Sequence, residues 1–253
     1  MSHETTTNDK VWKSPELAER FLKGVRGSIP LAGAQLDIMT RVVRAAVPES
    51  GPRVLDLGCG DGILGLALLQ VYPGAECVFA DFSAPMLAAC RERCEAIANG
   101  PHKLHFTQVD YGTPDWVKTL AAFVPFDAVV SGFSIHHQPD ARKRAVYKEI
   151  FVLLRPGGVF VNVEHVSPAT KWVEELNSEW FVDALFEAER LSGGSRSREE
   201  IDATYYHRED KAANILAPIE DQCAWLRAIG YQDVDIYFKA FELAVFGGRK
   251  RPE

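Results

Sequence analysis

The sequence predicts a doubly wound α/β fold, and three observations predict it. Short apolar strands alternate with amphipathic helices across residues 53–166, the rhythm of a parallel sheet covered by helices on both faces. Four of those strands reach Gly, Asp or Ser near their C-terminal ends, where such a sheet opens its ligand crevice. Near the C terminus two β-rich runs follow each other with almost no gap, which only antiparallel neighbours permit. The expected architecture is therefore Rossmann-like: a mostly parallel seven-stranded sheet with a C-terminal antiparallel hairpin and a helical lid insertion.

In chain order, the strands read as Arg53–Gly58, Glu76–Phe82, Leu104–Asp110, Phe126–Ser134 and Val159–Val166. Helices are expected at about 63–71, 84–98, 114–122 and 139–154, the last stopped by Pro156-Gly157-Gly158, which cannot continue it. The rhythm then breaks, and about fifty residues pass before a strand returns. A first lid helix is expected to start at Ser167-Pro168 and to carry Trp172, Leu176, Trp180 and Ala184 at helical spacing. A second is expected from Ser197, with Glu200 completing a capping box. A third runs from Pro218 to Gly230 and buries Ile219, Cys223 and Leu226, and the closing strands are Tyr231–Lys239 and Phe241–Gly247. The domain plan is a polar tail over 1–10, a helical N-terminal cover over 11–50, and a ligand-binding domain over 51–253 with its lid at about 167–216. Trp12, Phe21, Leu22 and Ile29-Pro30 either fold over the ligand or complete the core; Arg26 is a minor candidate contact.

A chain of 253 residues with 47% apolar composition supports one sizeable core. The net charge of −7 argues against a phosphate-neutralising surface, so nucleic acid is not expected as a partner. Two basic runs, Arg142–Arg144 and Arg249–Arg251, are expected on a solvated helix face or chain end. The five cysteines, Cys59, Cys77, Cys90, Cys94 and Cys223, have no zinc-type spacing, so no metal is expected, and a reducing compartment fits. Residues 1–10 are polar, and no apolar run has membrane-spanning length. A cytoplasmic protein without membrane contact, monomeric or homodimeric, is expected.

The strongest local signal is the run from Val54 to Gly62, VLDLGCGDG, a strand leading into a glycine-rich turn and then a helix. Glycine there lets backbone approach a nucleotide-like ligand. Counting from Gly58 and Gly60, the sixth position is Ile63 rather than glycine, so the dinucleotide fingerprint fails. Asp56 and Asp61 flank the turn. Carboxylates repel a pyrophosphate but favour a cation bearing an ammonium and a sulfonium, which favours S-adenosylmethionine (SAM) over NAD. Asp81 lies twenty-three residues after Gly58, the interval for an acid that accepts ribose hydroxyls. Asp110-Tyr111 ends the third strand, where a carboxylate suits an adenine amine and the aromatic ring suits its face.

These motifs resemble those of the class I SAM-dependent methyltransferases across roughly residues 50–165 and in the closing hairpin. The run from Asp56 to Gly60 resembles that family's first motif, and the run from Leu154 to Gly158 resembles the turn before its fifth strand. The resemblance implies SAM as cofactor and a small-molecule methyl acceptor as partner. It implies cofactor contacts at Asp56, Gly58, Cys59, Gly60, Asp81, Phe82, Met86, Asp110 and Tyr111, with Ser131, Gly132 and Phe133 closing the pocket. A narrower similarity, carried by the run from Gly27 to Pro30, by Trp225-Leu226 and by a strand near Phe238, is to carboxy-SAM synthase of wobble-uridine tRNA modification. Leu31-Ala32, Gly60 and Phe82 depart from that enzyme's pattern, whereas Arg208 is consistent with it.

Methyl transfer from a sulfonium is an in-line displacement that depends chiefly on alignment in a dry pocket. A protic acceptor also calls for a base, and histidine has a suitable unperturbed pKa. Candidate catalytic residues are His136 and His137 after the fourth strand, His165 beside Glu164 at the end of the fifth, and Arg208 near Tyr205, Tyr206 and His207. Each has a purely structural alternative in loop shaping or packing. The rival functional readings are a carboxy-SAM synthase-like enzyme, a non-catalytic SAM-binding protein and, as a minor rival, a NAD-dependent dehydrogenase.

Overall fold

The computed structural model describes residues 29–47, 50–97, 101–206 and 213–252. Expectations for Trp12, Phe21, Leu22, Arg26, Gly27, Ser28, His207 and Arg208 lie outside the described residues. A first helix, α1 (Ala32–Ala46), precedes the alternating series β1 (Arg53–Leu57), α2 (Ile63–Val71), β2 (Glu76–Asp81), α3 (Ala84–Ile97), β3 (Lys103–Gln108), α4 (Trp116–Thr119), β4 (Phe126–Gly132), α5 (Asp140–Leu153) and β5 (Leu154–His165). Then come α6 (Lys171–Leu191), α7 (Arg198–Tyr206), α8 (Ile219–Ile229), β6 (Gln232–Ala240) and β7 (Leu243–Arg249).

The strands form one seven-stranded sheet in the order β3-β2-β1-β4-β5-β7-β6. The first five pair in parallel, and β7 runs antiparallel to both β5 and β6. Strand order reverses direction between β1 and β4, which places the crevice at the C-terminal ends of those two strands. The inner strands are buried on both faces, Leu55 and Leu57 facing one cluster and Val54 the other. That is why they read as continuous apolar runs. One cluster takes in Met39 and Val43 of α1, Leu64 and Leu68 of α2 and the two cysteines of α3, while the other takes in Trp116 of α4, Tyr147 of α5 and Leu226 of α8.

Several boundaries differ from the sequence reading. Strand β5 begins at Leu154 and pairs there with Phe126, then shifts register to join Val159 with Ala128. Gly157, at φ +78°, sits within that irregular stretch. The helix expected at 114–122 contracts to Trp116–Thr119, because Lys118 and Leu120 already bond three residues back, to Asp115 and Val117. The first lid helix starts at Lys171 rather than after Ser167-Pro168. Ser167 donates its N–H to Ala217 O, which keeps that stretch extended until Thr170 caps the helix. The buried arc of α6 is Asn177, Ser178, Phe181 and Val182, while Trp172 is exposed. Of the expected stripe, Leu176, Trp180 and Ala184 are partly buried, Trp180 packing against the cluster that joins this helix to α7.

The capping box of α7 is present, with Ser197 N–H donating to Glu200 at 2.8 Å and Glu200 N–H to Ser197 Oγ at 3.2 Å. Helices α6 and α7 join through Phe181, Val182, Ile201 and Tyr205, which pack with Leu243 of β7. The basic run on α5 is not a solvated face: Lys143 is fully buried, and Arg142 bonds Tyr111 O and Glu149. All five cysteines are free and buried. Among the described residues, no helix is long and apolar enough to cross a membrane.

Helix α2 lies unusually close to the sheet at Gly65, where an added Cβ would fall 2.4 Å from Phe79 Cε1. Alanine gains about 1 kcal/mol over glycine inside a helix, but forcing extra volume into a packed site costs about 1–3 kcal/mol. Gly65→Ala is therefore expected to lower the thermal unfolding midpoint, and an equal or raised midpoint would show that the helix–sheet gap can relax.

Candidate functional site

The glycine turn after β1 sits at the reversal point of the sheet. Gly58, Gly60 and Gly62 all have positive φ, at 65°, 54° and 82°, a region that β-carbon-bearing residues avoid. A side chain at Gly58 would also place its Cβ 1.9 Å from Ser134 Oγ. The turn is held from below by Asp56, whose Oδ2 accepts from Gly65 N at 2.8 Å in the first turn of α2. Gly58 N and Cys59 N donate to Ala80 O at 2.7 and 3.1 Å, fastening the turn to β2.

Asp81 ends β2 and braces two loops at once. Its Oδ2 accepts from Gly60 N at 2.9 Å and its Oδ1 from Ser83 N at 2.8 Å. Asp110 follows β3, and its Oδ1 accepts from Gly112 N at 2.9 Å. These two acids, the glycine turn, Phe82, Met86 and the loop after β4 line one cleft of about 720 Å³, part of it open to solvent.

Ten of the twelve residues expected to contact the cofactor line this cleft, and Asp56 and Ser131 do not. Asp56 is a correction: it is buried beneath the turn and spends its carboxylate on the helix N-terminus. Ser131 is another, since its hydroxyl donates to Leu57 O at 2.8 Å and ties β4 to β1. The wall at β4 is thus shifted one residue along, to Gly132, Phe133 and Ser134. Phe133 holds φ +48°, a strained conformation for an aromatic residue. Its ring lines the cleft and also packs on the lid cluster. Asp61, read as a second acid at the turn, is ion-paired with Arg93 of α3.

Of the candidate catalytic residues, His137 lines the cleft, whereas His136 and His165 do not. His136 lies one layer deeper with its Nδ1 2.5 Å from Glu164 Oε1, and His165 Nε2 is 2.6 Å from Glu242 Oε2. The His136 and His137 rings are 4.0 Å apart. Burial pushes the Glu164 carboxyl up to about 7, against the pull of hydrogen bonds and of the neighbouring histidines. Burial likewise pushes the Cys59 thiol up to about 12, so the one cysteine on the wall is no nucleophile near neutral pH. Among the described residues no cluster of metal-ligating side chains is present.

The sequence reading missed Ser83, Ser134 and Gln138, which also line the cleft, as does Ile29, read as ligand cover or core. Ser83 had a legible signal, a helix-capping serine two residues after Asp81, and Met86 N does donate to its Oγ at 3.4 Å. Ser134 had none, because its 2.5 Å contact with Tyr111 OH joins two loops remote in sequence.

Residues 54–158 match the family described as a methyltransferase domain. The matched stretch runs from β1 into β5 and takes in the glycine turn, Asp81, Asp110 and the loop after β4. A demethylmenaquinone methyltransferase from Thermus thermophilus is 35% identical over 136 residues, 54% of this chain and 57% of that protein. The match thus spans under two thirds of that relative's length. A carboxy-S-adenosyl-L-methionine synthase from Chromohalobacter salexigens is 24% identical over 224 residues, 87% of this chain and 76% of that protein. Among solved structures, magnesium protoporphyrin IX methyltransferase from Synechocystis PCC 6803 with bound SAM superposes with a TM-score of 0.62 at 15% identity. That superposition covers 99% of this chain and 100% of that one and shows a shared fold.

The donor set of the cleft fits the SAM that the sequence implies. Asp81 and Asp110 supply acceptors for hydroxyls and an amine, Tyr111 and Phe82 supply apolar faces, and the positive-φ glycines open the backbone to the methionyl end. Asp81→Ala removes the ribose-side acceptor and the brace on Gly60 together. SAM affinity by calorimetry is expected to fall by about 2–3 kcal/mol; affinity equal to the wild type would remove Asp81 from the site.

Proposed function

We propose that the protein is a SAM-dependent methyltransferase acting on a small-molecule acceptor. The observation that carries this reading is the charge of the cleft wall. Among the described residues, its charged side chains are the acids Asp81 and Asp110, with no lysine or arginine. A pyrophosphate meets repulsion there, whereas an ammonium and a sulfonium meet attraction.

The donor supplies a methyl carbon made electrophilic by the attached sulfonium. The chain's contribution is to orient the donor, exclude water and receive a proton. Orientation falls to the glycine turn and Asp81, and exclusion to Phe133 and the α6–α7 lid that packs on it. His137 is the proton acceptor on the wall for a protic nucleophile. Its Nδ1 lies 3.3 Å from Ala213 O. A carbonyl only accepts, so the neutral ring carries its proton on Nδ1 and its lone pair on Nε2. The net charge of −7 supports a small acceptor rather than a nucleic acid.

A carboxy-SAM synthase-like activity is the second reading, favoured by the similarity that runs along 87% of the chain. Leu31-Ala32, Gly60 and Phe82, which depart from that enzyme's pattern, weigh against it. Incubation with methyl-labelled SAM and a panel of phenols, quinols, amines and carboxylates is expected to give S-adenosylhomocysteine with the label on one acceptor class. SAM binding without turnover on any member would favour the non-catalytic reading. Incubation with SAM and prephenate is expected to give no carboxy-SAM by mass spectrometry, and that product would establish the second reading instead.

A further inference from the structure

Beneath the cleft lies a polar layer that binding of the cofactor does not require. Glu164, at the end of β5, is 1% exposed, yet each of its oxygens has two N–H neighbours. Oε1 faces His136 Nδ1 at 2.5 Å and His165 N at 3.0 Å, while Oε2 faces His136 N at 3.1 Å and Asn162 Nδ2 at 3.3 Å. Two of these are backbone donors and one is an amide, so the titratable proton of the set lies between Glu164 and the His136 ring. Burial pushes this carboxyl up to about 7, while the bonds from His165 N and Asn162 and a positive charge on His137 pull it back towards the anion, so the carboxylate is the form that faces an imidazolium there. Its charge faces His136, then His137, whose ring is 4.0 Å from that of His136 and which lines the cleft.

We infer that Glu164 and His136 form a buried positioning pair that stabilises the imidazolium generated on His137 when a hydroxyl or ammonium acceptor gives up its proton. This rests on the methyltransferase reading and assigns it a protic acceptor. The acceptor's X–H pair becomes the new X–C bond, its proton goes to His137 Nε2, and the C–S pair stays on sulfur. With a neutral acceptor, positive charge thereby passes from the sulfonium to His137. Removing charge from the cleft and creating it on a buried ring is costly unless a fixed anion stands behind that ring. Glu164 provides it.

The other charged and titratable neighbours do not compete for this role. His165 is engaged by Glu242 and lies 5.9 Å from His136, ring to ring. On α5, Lys143 is held by Asp140 and Ile215 O, and Tyr147 donates to Gln222 at 2.6 Å. Asp81 and Asp110 belong to the cofactor side of the cleft. The segment Ala213–Ala217 closes over the layer, its Ile215 N donating to His136 O at 3.0 Å.

The test is a histidine nitrogen NMR titration of the whole protein without ligand, with His137 assigned through His137→Asn. In Glu164→Gln, which keeps the shape but loses the charge, the His137 midpoint is expected to fall by about one pH unit. A midpoint unchanged in a folded Glu164→Gln protein would overturn the inference. Should that variant not fold, the wild type decides. A buried imidazole lacking a counter-charge titrates below about 6.5, so a His137 midpoint above that supports the pair and one below it overturns the pair. Calorimetry with SAM on the same samples separates the two proposals. Absence of SAM binding in the wild type defeats the methyltransferase reading, whereas normal binding with an unshifted His137 defeats only this pair.

Discussion

The site depends on one carboxylate that serves two loops. Asp81 accepts from Gly60 N and from Ser83 N, so the glycine turn after β1 and the start of α3 are set by a single group at the tip of β2. Charge-assisted bonds from backbone donors are short and directional, and here they leave the side chain no freedom to turn away. The same side chain lines the cleft where the strand order reverses and the sheet itself leaves a crevice. One group thus braces two loops and forms part of the wall between them.

The second constraint is closeness. The turn after β1 works only because glycines at positive φ lie against Ser134 and Cys90, with no room for a Cβ at Gly58 or Gly62. Across the cleft, strain at Phe133 is held in place by the bond from its N–H to Val163 O at 2.8 Å. That bond fixes a ring shared by cofactor cleft and lid cluster. The α6–α7 cluster and the shape of the cleft are therefore linked through one side chain, as expected when strain is kept at a functional site.

Below the cleft, charge is buried in matched pairs. Removing one partner of such a pair leaves an uncompensated ion and costs several kcal/mol, whereas the intact pair contributes little net stability. Two imidazole–carboxylate pairs and a fully buried lysine at the tips of β4, β5 and β7 are therefore poorly explained by stability alone. Their common neighbour is the segment Ala213–Ala217, which touches His136, His137, His165 and Lys143. The same layer thus anchors the chain leaving the lid and backs the histidine on the cleft wall.

Legibility in the sequence followed the range of the interaction. The alternation of strands and helices, the glycine turn, and the acids Asp81 and Asp110 were readable because each rests on local periodicity, turn chemistry or a strand end. Asp56 and Ser131 carry the same local signals, yet they face inward. Which side of a strand tip meets the ligand depends on how α2 and β1 pack against it. The start of α6 was misjudged because Ser167 is claimed by Ala217, fifty residues away. The histidines were equivalent as letters. Only the packing of β4 against β5 put His137 on the wall and joined His136 to Glu164. Chain-local chemistry therefore determined the fold and the cofactor's side of the cleft. The placement of the histidines was decided by tertiary structure, because long-range burial sets whether a charge is solvated or paired.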